Sequence, residues 1–184
     1  MMRTGQVRDS VDVDWNGGIR DKEFVDAEIE CGGQSFMCHQ IILATSSPVF
    51  CAMFQADMRE KETRKVVIED IRPEVMALVL EWIYFGCIES CREKEPLELL
   101  QAADKYQLDK LKELCEAKLC SILDVTNVIE LLVFGDLHNA TRLKNVALKM
   151  VARNQVTLNK SKVYQDFLIQ FPRLAGEVKS SRSL

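Results

Sequence analysis

The chain is poor in the residues on which most catalysis and metal binding draw. Its only histidines, His39 and His138, lie far apart. None of its seven cysteines forms a CxxC pair: Cys31 and Cys38, Cys87 and Cys91, and Cys115 and Cys120 are all spaced more widely. Structural zinc sites favour closely spaced Cys and His ligands, so no metal site is expected. An odd cysteine count without a secretion signal points to reduced thiols packed as small apolar side chains. Gly32-Gly33 is isolated and lacks the following Lys-Ser or Lys-Thr of a phosphate loop. No serine sits in a nucleophile elbow. No apolar run approaches the roughly 18 residues of a membrane span, and the N-terminal MMRTGQVRDSVDVD is too polar for a secretory signal. These absences lead us to expect a soluble, intracellular, non-enzymatic chain that needs no cofactor.

What is present is core. A 184-residue chain with 47% hydrophobic residues can form one domain, or one domain with a helical extension. The net charge of -4 conceals an asymmetry, because residues 1–140 carry 15 basic and 26 acidic side chains whereas 141–184 carry 9 and 2. A basic tail can serve nucleic acid. Here, however, Arg142, Lys144, Lys149, Arg153, Lys160 and Lys162 are spread over amphipathic helices without interleaved aromatics, so solvated helix faces are expected.

Residues 1–23 contain Gly17-Gly18 and many charges, and are loosely structured unless something covers them. Val11, Trp15 and Ile19 fall four apart, on one face of a short helix. Either the chain's own core or a partner subunit could cover that face, and spacing does not choose between them. Phe24–Glu30 alternates apolar and polar residues, Gly32-Gly33 makes a tight connection, and Gln34–Cys38 returns as a second strand. Lys65–Ile68 supplies a third strand. Asp70 and Pro73 open a helix with Val75, Met76, Leu78, Val79, Trp82 and Ile83 at intervals of three and four, and Gly86 closes it. Burying those six side chains is worth on the order of 10 kcal/mol before ordering entropy. After the charged linker Glu89–Glu95, Leu97–Tyr106 and Leu108–Leu119 read as helices with Leu97, Leu100, Leu108, Leu111 and Leu114 inward. Asp124 is an N-cap candidate for a helix over Val125–Gly135, and Gly135-Asp136 marks a turn. Helices over Ala140–Ala152 and Val163–Ile169 follow, the last one ending before Pro172. The fold class is α+β, a small mixed sheet flanked by helices, followed by an all-helical annex.

The stretch His39–Glu60 (HQIILATSSPVFCAMFQADMRE) organises the rest. Ile41, Ile42 and Ala44 suggest a short helix, Ser47-Pro48 interrupts it, and Val49, Phe50, Met53 and Phe54 resume an apolar stripe. Two short helices therefore meet at a corner. Met58-Arg59-Glu60 follows, with a long apolar side chain set among Asp57, Arg59, Glu60 and Lys61. That placement reads as a docking feature, with core filler as the plainer alternative. His39 opens the corner without a metal-type partner nearby and reads as structural.

These residues resemble the BTB/POZ domain. Asp26 in the first strand and His39 at the corner occupy the family's signature places, followed by Ile42-Leu43-Ala44, Ser47-Pro48-Val49-Phe50, Met53-Phe54 and Ile83-Tyr84-Phe85-Gly86, with Phe85 where threonine is more usual. Ala102-Ala103-Asp104-Lys105-Tyr106, Leu108, Leu111, Lys112, Cys115 and Glu116 resemble the speckle-type POZ protein (MATH-BTB) subgroup. Leu137-His138 and Phe171-Pro172-Arg173-Leu174 are similar to its helical 3-box and partial BACK region. The resemblance implies residues 1–23 as a segment with a dimerisation helix, 24–121 as the BTB/POZ domain and 122–184 as the 3-box/partial BACK extension. The subgroup's substrate-capturing MATH domain would precede residue 1 and is expected to be absent.

The resemblance also implies partners. In cullin-binding relatives a hydrophobic-x-Glu motif contacts the N-terminal domain of cullin-3, and Met58 and Glu60 match it. The subgroup's dimer interface falls on Val11, Trp15, Gly18 and Ile42, with Gly18 departing from the apolar pattern. A non-catalytic dimeric adaptor of a cullin-3 RING ubiquitin ligase, in nucleus or cytoplasm, is the leading expectation. One alternative is an assembly module that heterodimerises with MATH-BTB proteins. A transcriptional co-regulator is the other, disfavoured because Ser46 stands where many repressors, and the speckle-type relatives too, carry an arginine, so a repressor-type pocket built with Asp26 would lack that cation.

Overall fold

The computed structural model describes residues 24–55, 64–88 and 96–180. Its contacts divide the chain into two compact units, residues 1–95 and 96–184.

In the first unit, strand β1 (Ala27–Cys31) lies at the centre of a three-stranded sheet, between β2 (Gln34–Cys38) and β3 (Lys65–Ile68). It runs antiparallel to β2, with Ile29 opposite Phe36, and parallel to β3, with Ile29 beside Val66. Alternation decides the faces. Ala27, Ile29, Cys31, Phe36, Cys38, Val66 and Ile68 are buried, while Lys65 on the other face reaches Glu28 at 3.2 Å and Glu30 at 2.7 Å. Gly32 and Gly33, at φ 55° and 82°, make the hairpin turn, which demands left-handed backbone at both central positions. The first strand starts at Ala27 rather than Phe24 because its partner ends at Cys38, directly opposite Ala27, and the chain then leaves the sheet. Phe24 is exposed.

Helices α1 (Gln40–Ser46) and α2 (Pro48–Gln55) form the corner, and α3 (Pro73–Phe85) packs against α1. Pro73 fills the first position of α3, and Gly86, at φ 68°, ends it by donating its N–H to the Trp82 carbonyl at 2.8 Å. The N-cap is Arg72, not Asp70. Val75, Met76, Leu78 and Val79 are buried as expected. Leu80 and Glu81 are buried too, and Trp82 and Ile83 only half-buried. The middle turns are enclosed on most sides, which a one-face stripe does not anticipate.

The second unit is helical: α4 (Pro96–Lys105), α5 (Asp109–Ser121), α6 (Val128–Leu137), α7 (Thr141–Arg153), α8 (Gln155–Leu158), α9 (Lys162–Gln170) and α10 (Pro172–Ser180). Leu100, Leu108 and Leu111 are buried and Leu97 half-buried, but Leu114 is exposed. The inward line of α5 runs Leu111, Cys115, Leu119, at steps of four, with Glu116 beside it. Asp124 accepts from the N–H groups of Thr126 at 2.7 Å and Asn127 at 3.1 Å, capping the turn that leads into α6.

Gly135 belongs to α6 and does not mark the turn. It faces α7 so closely that a Cβ there would meet the Lys144 backbone nitrogen at 3.1 Å. The reversal is at Asn139, φ 50°, where the Ala140 N–H donates to the Gly135 carbonyl at 2.8 Å. Two helices escaped the sequence reading, α8 and α10. Pro172 starts α10 rather than ending α9, in keeping with proline's fitness for a first helical turn, and Leu174, Ala175 and Val178 are buried. Asp136 pairs with Lys144 at 2.9 Å and with Arg173, and Glu177 pairs with Lys144 at 2.7 Å and Arg173 at 2.8 Å. This ring of charges ties α6, α7 and α10. Glu116 of α5 accepts the Leu143 N–H at 2.9 Å.

Candidate interaction surface

The corner is secured by two side chains from outside it. The Asp26 carboxylate, just before β1, accepts the Gln40 N–H at 2.8 Å. A first-turn donor of α1 that has no partner within its own helix is thereby satisfied. His39 takes the N-cap position with extended backbone, and its carbonyl accepts from Ile42 and Leu43, both at 3.1 Å. Its own N–H donates to the Tyr84 hydroxyl of α3 at 2.8 Å, and its Nδ1 lies 2.9 Å from the same oxygen. The Tyr84 hydroxyl can then donate to Nδ1 in the tautomer that leaves that nitrogen as an acceptor. Burial pushes Tyr84 up to about 12, outweighing the His39 N–H bond that pulls it down. The phenol is therefore a neutral clamp between α1 and α3.

Ser47, fully buried between the two corner helices, accepts the Phe50 N–H on its Oγ at 3.2 Å. Leu43, Phe50 and Phe54 face inward. Outward, Ile41 is 69% exposed and Ile42 half-buried. A pocket of about 230 Å³ lies beside them, lined by Asp26, Gln40, Ile41, Ala44, Cys51 and Phe54. Among the described residues no cation pairs with Asp26, and exposed Ser46 leaves the place of the repressor-type arginine without charge.

Of the residues singled out on sequence, Asp26, His39 and Ile42 converge on this corner. Met58, Glu60, Val11, Trp15 and Gly18 lie outside the described residues. Tyr84 was legible only as part of a motif; that its hydroxyl clamps His39 follows from the strand placing His39 against α3. No group of three or more His, Cys, Asp or Glu able to hold a metal occurs among the described residues.

A family model, the BTB/POZ domain, matches residues 17–123, more than half of the chain. The chain belongs to the BTB/POZ family. Solved BTB domains are similar to it: that of human Gigaxonin at 26% identity, covering 67% of this chain and 100% of that one with a TM-score of 0.48, and that of zebrafish PATZ1 at 26% identity, covering 56% and 82% with a TM-score of 0.47. BTB/POZ domains are protein-interaction modules, typically non-catalytic, which commonly dimerise and bind other proteins. The BTB match ends at residue 123, beyond α4 and α5, whereas the contacts divide at 95/96.

Proposed function

We propose that this BTB/POZ protein is a dimeric adaptor of a cullin-3 RING ubiquitin ligase, of the MATH-BTB type, working in nucleus or cytoplasm. The observation that carries the reading is the hydrophobic-x-Glu sequence Met58-Arg59-Glu60 within the BTB match, three positions past the end of α2 at Gln55. Met58 would enter an apolar pocket on the cullin N-terminal domain while Glu60 fixes register at the rim, the usual division between a central anchor and charged periphery. Residues 122–184 carry the 3-box and partial BACK in this reading. Val11, Trp15 and Ile42 would form the isologous dimer contact. The ligase chemistry would come from partners.

A calorimetric titration with the cullin-3 N-terminal domain tests this. Met58→Asp should weaken binding by about 2 kcal/mol, a hot-spot loss, equivalent to roughly 30-fold in Kd, with the far-UV spectrum unchanged. Equal affinity for wild type and variant sinks the assignment.

One observation also favours a heterodimerising assembly module: Ile41 is exposed next to half-buried Ile42 on α1, an apolar surface that pairing with another BTB chain would cover. Co-expression with MATH-BTB proteins should then yield mixed dimers, and purely homotypic dimers would refute it.

A further inference from the structure

Among the cations of the second unit, one set is neutralised and another is bare. Lys112 pairs with Asp104, and Lys144 and Arg173 belong to the ring with Asp136 and Glu177. Arg142, Lys149 and Arg153 are exposed and make no ion pair among the described residues. They share α7, whose buried side is Leu143, Ala147, Leu148 and Val151. At about 100° per residue, Arg142, Lys149 and Arg153 fall within roughly 40° of one another, spanning about 16 Å of helix. Val146, 37% exposed, lies in the same line. The Cys120 thiol lies near Arg142, but burial pushes its pKa up and keeps it neutral, so it does not cancel that charge.

We infer that this stripe of α7 docks an acidic, amphipathic helical segment of a partner protein. The spacing selects the partner's backbone. Arg142 to Lys149 is about 10 Å and Lys149 to Arg153 about 6 Å along the axis, at 1.5 Å per residue. A second helix laid alongside meets all three with carboxylates at steps of seven and four, all on one face. An extended strand would need steps of about three and two residues, and the step of three changes sides, so one of its carboxylates would point away. Val146, between Arg142 and Lys149, offers an apolar contact ringed by charge, the arrangement of a small hot spot. Nucleic acid fits less well: the stripe has no exposed aromatic for stacking, and the chain as a whole carries a net charge of -4, which opposes a polyanion.

The test uses the full chain and two synthetic helical peptides of equal composition. One has Glu on a single face at steps of four and seven around a Leu; the other has the same Glu residues distributed around the helix. Fluorescence anisotropy at about 50 mM salt should show at least tenfold tighter binding of the one-faced peptide. Arg142→Gln/Lys149→Gln/Arg153→Gln should lose that preference while keeping the far-UV spectrum, and Met58→Asp should leave it unchanged, which separates this surface from the cullin reading. Equal binding of both peptides, or undiminished binding by the triple variant, overturns the inference. So does tighter binding to a DNA duplex or to anionic vesicles, or salt-sensitive self-association lost in the triple variant, which would make a second copy the occupant.

Discussion

Glu116, buried at 7% relative exposure, holds the start of α7 from α5. Leu143 sits at the third position of α7, where an amide has no acceptor within its own helix, and Ala140 at the cap offers no side-chain oxygen. The Glu116 carboxylate, from α5, supplies that oxygen at 2.9 Å. Three effects combine. A hydrogen bond to a charged group contributes about 1.5–3 kcal/mol, a negative charge near a helix N-terminus about 0.3–1 kcal/mol and up to ~2 when partly buried, and desolvation of the carboxylate opposes both. Glu116→Gln keeps an acceptor and loses the charge, so it should cost about 1 kcal/mol. Glu116→Ala removes the acceptor and leaves the Leu143 N–H unsatisfied in a buried site, for a loss of about 2–3 kcal/mol. For a chain of this size that corresponds to a fall in Tm of roughly 5–10 °C. Glu116→Met retains volume and relieves desolvation, so it isolates the hydrogen bond. Urea unfolding gives the free energies, and amide exchange at Leu143 gives the local reading, which should quicken in Ala and Met but little in Gln. A Met variant as stable as wild type with Leu143 still protected would refute the reasoning.

Other outcomes follow from the same geometry. Gly135→Ala should destabilise by about 1–3 kcal/mol in urea despite alanine's better helix propensity, because the new Cβ meets the Lys144 backbone, which cannot rotate away. Burial pushes the Asp136 carboxyl up, but bonds from Lys144 and Arg173 outweigh it and hold the group below its usual 3.8. Its contribution is therefore complete above about pH 4 and is lost as pH falls through the depressed folded-state value. Urea midpoints stepped down from pH 5 should fall less steeply in Arg173→Gln than in wild type. Ile42→Asp should shift the light-scattering mass from dimer to monomer if that position is interfacial, and an unchanged mass would remove it from the interface. A chain ended after Leu123 should lose helicity beyond the residues deleted, read by far-UV circular dichroism, because α5 loses α7.

The first unit was largely legible in sequence because its signals are local. Paired glycines need positive φ, a period of two needs a sheet with one buried face, and Ser47-Pro48 breaks a helix wherever it falls. The second unit was legible as helices but not in its faces. Two helices over Leu97–Tyr106 and Leu108–Leu119 were legible, but Leu114, expected inward, is exposed, because the second helix turns its Leu111–Cys115–Leu119 line inward. Gly135 was misread as a turn because a glycine looks the same whether it supplies a left-handed residue or lets two backbones approach. Pro172 was read as a stop for the equally local reason that proline both ends and begins helices. The site divides likewise: Asp26 and His39 were legible by resemblance, but Tyr84 and Glu116 act across 45 and 27 positions, and no local pattern reports a partner so distant.

The two long-range bonds explain why the family boundary and the contact boundary differ. A family match follows the part of the chain whose residue pattern recurs, and here it ends at residue 123. Physical cohesion follows burial and hydrogen bonding, and α5 accepts the Leu143 amide in the first turn of α7 through Glu116 and packs against that helix. The helices of residues 96–123 therefore belong to the BTB/POZ match by pattern and to the C-terminal helices by contact. A change in α7 will consequently be felt in α5, inside the matched region. That coupling gives the stripe Arg142, Lys149 and Arg153 a rigid platform, since the same helix has its start capped by α5 and Lys144 in its first turns held by the ring with α6 and α10.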